Sequence, residues 1–179
     1  MWQMSIPGQR FFGWPWASTN YLRARMETSF GTDGEPALDE LRREVTEHRN
    51  AGRVHVEFRR LDPPGASAHS VATALVKALA MRPPEAWSEL DAQGALEVAT
   101  RVLHADLAYD MPLMTIELAE GLARRFLACC GEGAVFVTNG SLAQTPKGAW
   151  SPLTDATFDA GIVGISSRRV GLLWVEDED

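Results

Sequence analysis

A chain of 179 residues, 45% hydrophobic and 23% charged, has the composition of a folded globular protein long enough to bury a core without disulfides or metals. Its formal net charge of -7 argues against two broad classes, because general nucleic-acid binders and proteins docking on anionic membranes need a basic face. The adjacent Cys129 and Cys130 do not make a disulfide scaffold, and no run of about 18 apolar residues offers a membrane span.

The opening residues, Met1 to Pro7, lack the basic-then-apolar pattern of a secretory signal, so cytoplasmic residence is expected. Phe11-Phe12-Gly13-Trp14-Pro15-Trp16 follows, where Gly13 and Pro15 disfavour a continuous helix. The favoured reading is an aromatic lid on the core; the other is an exposed anchor patch around Trp14 and Trp16. A helix is predicted over about 35–50, with Asp33 able to cap, Pro36 in the first turn, and Leu38, Leu41 and Val45 at helical spacing. Arg42 and Arg43 read as surface charges paired with Asp39, Glu40, Glu44 and Glu47. Val54 to Phe58 alternates as a strand, and Asp62-Pro63-Pro64-Gly65 is a turn.

Ser67 or Ser70 opens a second helix, running to about Met81 and stopped by Arg82-Pro83-Pro84. A longer helical region is expected from Glu85 to about Ala108, with a possible break at Gly94. Thr115 starts a helix that reaches Cys130 and closes at Gly131. Beyond it the chain changes character. Ala134 to Thr138 reads as a strand, 141–158 is turn-rich, and Gly161–Ile165 with Val170–Val175 forms a hairpin around Ser166-Ser167-Arg168-Arg169. The expected architecture is α+β in one domain, 1–179: an antiparallel sheet with several helices packed on one face and a C-terminal β-hairpin. Within it, 1–33 is the aromatic-rich segment, 34–131 mainly helical and 132–179 mainly strands.

No local motif announces a reaction. His48, His55, His69 and His104 fall in four different elements without metal-ligand spacing, so no metal is expected. No GxSxG elbow surrounds Ser141, and Cys129 and Cys130 lie at a helix C-terminus, which raises rather than lowers a thiol pKa. Gly131-Glu132-Gly133 places a carboxylate where a phosphate loop would need donors, so no nucleotide cofactor is expected.

The charge is unevenly spread. Residues 1–60 carry nine basic and eight acidic groups, whereas 131–179 carry three and seven. The acids end in Glu176-Asp177-Glu178-Asp179, directly after the apolar Val170 to Val175. Four adjacent carboxylates are expected to face water or a basic partner, with Asp155 and Asp159 beside them; the bland reading is a charged end that blunts an edge strand. Trp174, inside the strand, is assigned to the core.

The C-terminal third carries a set of short motifs: Phe136-Val137-Thr138-Asn139-Gly140, Trp150-Ser151-Pro152-Leu153-Thr154-Asp155, Thr157-Phe158-Asp159-Ala160-Gly161, and Leu172-Leu173-Trp174-Val175 with its acidic end. In these it resembles the cognate immunity proteins of bacterial polymorphic and type VI effector toxins, over about a quarter of the chain. The resemblance implies a cytoplasmic, non-catalytic protein that neutralises one toxin, a nuclease or nucleotide-acting effector, by occluding its active site. As the charge and the missing motifs already indicate, no cofactor is expected, and neither nucleic acid nor membrane is expected as a partner. Asp155, Asp159, Glu176, Asp177, Glu178 and Asp179 would meet the toxin's basic cleft, with Trp14 and Trp16 as aromatic anchors. The alternatives are a small enzyme with a site assembled from His55, His104 and Asp110, and a non-catalytic assembly subunit using the aromatic segment.

Overall fold

A computed structural model describes residues 35–61, 67–140 and 151–179. Their elements run α1 (Pro36–His48), β1 (Arg53–Arg60), α2 (Ala68–Ala78), β2 (Ser88–Leu90), α3 (Ala92–His104), α4 (Ile116–Cys130), β3 (Val135–Thr138), β4 (Phe158–Ile165) and β5 (Arg169–Asp177). The five strands form one antiparallel sheet in the order β1-β5-β4-β3-β2. The fold is α+β, and β4 and β5 form the expected hairpin, from Phe158 opposite Asp177 to Ile165 opposite Val170.

The helix ends follow local chemistry. Ser67 caps α2 by accepting from the Ser70 N–H at 3.2 Å, and Thr115 caps α4 by accepting from the Leu118 N–H at 3.3 Å. Gly131, at φ +102°, ends α4. Pro36 occupies the first turn of α1 after Glu35, which makes no side-chain cap; Asp33 lies outside the described residues. The long helical region expected from Glu85 is divided. Ser88–Leu90 pairs with β3, and the Asp91 carboxylate accepts from the Gly94 N–H at 2.7 Å to start α3. The boundary thus falls at Asp91, Gly94 sits harmlessly in the first turn, and α3 stops at His104.

Three helices, α1, α3 and α4, pack on one face, where Leu41, Val45, Leu103, Leu122 and Phe126 meet Val56, Ile162, Leu173 and Val175. The fourth, α2, lies on the opposite face with Met81, Trp87 and Leu153, over Val137, Val163, Leu172 and Trp174. The reason is the composition of β4 and β5. Consecutive apolar residues from Ala160 to Ile165 and from Val170 to Val175 leave neither face polar, so both must be covered. Gly164 and Gly171 pair directly across the hairpin and open a flat window on the three-helix face. A Cβ at Gly164 would fall 2.6 Å from Cys130 Sγ, and one at Gly171 would fall 2.8 Å from the Phe58 ring. The bare backbone therefore lets the end of α4 and the Phe58–Phe126 pair, with centroids 5.3 Å apart, seat on the sheet. No helix among the described residues is long and apolar enough to cross a membrane.

α2 closes in a Schellman arrangement. The Met81 N–H donates to the Val76 carbonyl at 2.9 Å and the Ala80 N–H to the Lys77 carbonyl at 3.1 Å, while Met81 and Val76 are both buried. This puts Ala80 at φ +60°, a conformation in which a Cβ is costly. Ala80→Gly is therefore expected to raise the unfolding free energy by about 1 kcal/mol, measured by urea titration. A loss of similar size would mean that the extra freedom of glycine in the unfolded chain outweighs the relieved strain.

Candidate functional site

The pleat of β5 splits the acidic run. β5 continues through Asp177, so alternation sends Leu173, Val175 and Asp177 to the three-helix face and Trp174 and Glu176 to the other. Asp177 is 2% exposed. Its Oδ2 accepts from Arg49 Nη2 at 2.7 Å and from the Leu107 backbone N–H at 2.8 Å. Arg49, directly after α1, spends its other donors on the Val102 carbonyl of α3 at 2.8 Å and on the Ala51 carbonyl. The reading that all four carboxylates face water or a partner therefore fails for Asp177: its basic partner is in the same chain, brought there by the β1–β5 pairing.

Glu176 is largely covered, its side chain 15% exposed, with His55 Nε2 at 2.6 Å and the exposed Arg53 guanidinium at 3.8 Å. Glu178 and Asp179 are exposed and gather around Thr157, whose hydroxyl lies 2.7 Å from Glu178 Oε2 and 3.3 Å from Asp179 Oδ1. Asp155, two residues before Thr157, is almost fully exposed and ion-paired with Arg82. Glu178 and Asp179, with Asp155 nearby in the chain and offset by Arg82, make an acidic apex at one end of the sheet. Trp14 and Trp16 lie outside the described residues. Trp174 is fully buried.

Asp159 belongs to the interior. It is 1% exposed, and its Oδ2 accepts from the Leu153 and Thr154 N–H groups at 2.7 Å each, while Asn139 Nδ2 approaches Oδ1 at 3.4 Å. The carboxylate thus shapes the 151–157 segment that carries Asp155. Burial pushes its pKa up from the ordinary value, and the donors from Thr154 and Leu153 only partly oppose this. The Trp174 indole N–H, which makes no hydrogen bond among the described residues, is a smaller opposing influence.

The residues of the enzymatic alternative are held in three unrelated contacts. His55 meets Glu176, His104 Nδ1 lies 2.7 Å from the Met114 carbonyl, and Asp110 pairs with Arg101 at 2.9 Å. Among the described residues no group of three or more His, Cys, Asp or Glu is placed to hold a metal ion. Burial raises the pKa of both cysteine thiols, so both are protonated at neutral pH. The expected α1 pairings form for Arg42 with Asp39 and for Arg43 with Glu47, while Glu44 reaches across to Arg125 of α4. No protein-family model, curated protein or solved structure matches the chain.

Sequence reasoning missed two features. Arg49 stands beside Asn50 with no local sign of a partner 128 positions away. The second is the loop between α3 and α4, read only as a break at Asp110-Met111-Pro112.

Removing one member of a buried ion pair strands the other. Asp177→Ala is expected to cost about 3–5 kcal/mol in urea unfolding, whereas Asp179→Ala stays within about 0.5 kcal/mol. Equal effects would place the two carboxylates in the same environment. For Asp159 the sign follows from its raised pKa. The folded state binds the proton more readily, so this group's contribution to stability is present below its unfolded pKa and is lost as pH rises through the folded one. The unfolding free energy of the natural chain minus that of Asp159→Asn should therefore fall as pH rises through and above the ordinary carboxylate range. A difference that grows with pH would show that the hydrogen bonds outweigh burial.

Proposed function

We propose that this chain is a cytoplasmic immunity protein that binds a cognate bacterial toxin, of the polymorphic or type VI effector kind, and neutralises it by covering a basic active-site cleft. The observation that carries this reading is the acidic apex. Asp155, Glu178 and Asp179 project from two adjoining segments held together by Thr157. They stand on a scaffold whose neighbouring acids, Asp159 and Asp177, are already engaged internally. Clustered exposed carboxylates on a chain of net charge -7 raise the encounter rate with a basic surface by roughly 10- to 10³-fold at low salt. Enzymes acting on nucleic acids or nucleotides present such surfaces, because they must attract phosphates. The likeness of the C-terminal third to immunity proteins points the same way.

Deletion of 176–179 is a poor test, since it removes Asp177 and with it the buried pair to Arg49. The informative variant is Asp155→Asn with Glu178→Gln and Asp179→Asn, which neutralises the apex and leaves the interior intact. Against the product of the adjacent reading frame, its association rate should drop about tenfold or more at low salt, with a flatter salt dependence and a weaker effect on dissociation. Co-expression should show reduced protection. Unchanged association across the salt series removes the apex from recognition, and an adjacent product that the natural chain does not bind removes the immunity reading.

A further inference from the structure

The loop joining α3 to α4 is built for display. The Ala105–Pro112 bridge pairs its ends, the Asp106 N–H donates to the Met111 carbonyl at 3.1 Å, and the Leu113 N–H donates to the His104 carbonyl at 2.7 Å. Inside it, the buried Asp106 side chain accepts from the Tyr109 N–H at 2.5 Å, and Asp110 takes φ +59°. Its base is fixed to the sheet where the Leu107 N–H meets Asp177. These contacts turn apolar side chains outward. Among the described residues four large hydrophobic side chains are exposed, and three of them fall within eight positions here: Tyr109 at 65%, Met111 at 60% and Ile116 at 44%.

Core packing does not account for an outward Tyr and Met on a hydrogen-bonded loop. Tyr and Met are among the residues enriched at the centres of protein interfaces, and a loop already held in shape loses little entropy on docking. The surroundings select the partner's charge. From Ala105 to Ala123 there are four carboxylates and no Lys, Arg or His, and Asp110 and Glu117 are exposed beside the apolar trio. Arg101 offsets Asp110 and Arg124 offsets Glu120 through exposed pairs, and Glu117, which makes no ion pair among the described residues, leaves the rim negative.

We propose that Tyr109 and Met111 are the anchors that insert into an apolar depression on the basic partner, with Ile116 widening the contact and Asp110 and Glu117 meeting cations at its edge. This rests on the reading of the chain as a toxin-neutralising protein and adds a second element to it. The apex acts mainly on encounter, whereas the loop holds the complex together.

The probe is the purified product of the adjacent reading frame, and the readouts are association and dissociation rates with the full chain. Tyr109→Ala with Met111→Ala should raise the dissociation rate enough to weaken affinity about 100-fold, as expected for central anchors, with unchanged thermal unfolding. Val135→Ala, which trims the fourth exposed hydrophobic residue, should leave affinity unchanged. Asp110→Asn with Glu117→Gln should slow association several-fold and flatten its salt dependence. Unchanged dissociation in the double alanine variant overturns the anchor while leaving the immunity reading intact. Failure of the natural chain to bind the toxin overturns both. Sedimentation decides a different occupant: a dimer that the double alanine variant dissociates, with toxin affinity retained, assigns the patch to a second copy. A Met111 methyl resonance that shifts on Trp14→Ala with Trp16→Ala in the free protein assigns it instead to the chain's own first segment. Either result overturns the proposal.

Discussion

The contact between Arg49 and Asp177 fixes how the layers meet. One fully buried guanidinium joins the end of α1 to the Ala51 turn, to α3 and to β5, and the carboxylate it meets also holds the loop after α3. The pair's value is not simply energetic. Two charges taken out of water regain by attraction roughly what desolvation removes, and a well-packed apolar pair of the same volume is often as stable. The pair instead supplies exclusivity. A register slip of one residue between β1 and β5 would turn Asp177 to the opposite face and leave Arg49 buried without a counter-ion. With total stabilities of about 5–15 kcal/mol, a penalty of several kcal/mol is enough to remove such alternatives.

The sheet satisfies a second constraint with glycine. Covering both faces of β4 and β5 demands close approach from helices and aromatic rings, and Gly164 opposite Gly171 supplies the space on one face. On the other, Gly161 faces Trp174 across the hairpin, and the bare position lets the largest buried side chain lie over the strand. Helix packing, strand pairing and the placement of Cys130 are then parts of one arrangement. That gives Cys130 a packing role, in keeping with its raised thiol pKa.

Much of this was legible in the sequence where the signal is local. Thr115 and Gly131 mark both ends of α4 because capping is a matter of neighbouring atoms, and the hairpin is readable because its two strands are neighbours in the chain. What escaped depends on distant atoms. Ser88–Leu90 has no strand character of its own and becomes a strand only beside β3. Arg49 resembles any basic residue at a helix end until β5 brings Asp177 to it. Two other signals were local and open to a closer reading. Uninterrupted apolar runs in β4 and β5 indicate burial on both faces. A strand prolonged by two residues past Val175 must send Glu176 and Asp177 to opposite sides, so an acidic run following a strand is not one feature but two.

That division bears on how recognition can be built from this charge. Asp177 and Asp159 are committed inward, one supporting the α3–α4 loop and the other shaping the segment that bears Asp155. The outward acids therefore stand on supports made of inward ones, and each inward carboxylate positions an exposed feature that it does not itself form. Losing an inward acid would disturb both the fold and the display, whereas losing an outward one changes only the field outside. The same dependence links the apolar loop to the acidic end of β5. Leu107 is tied to Asp177, while Glu178 and Asp179 follow that residue directly in the chain. A partner that engages both the loop and the apex would thus meet two surfaces already tied through one buried carboxylate, with little left to order on binding.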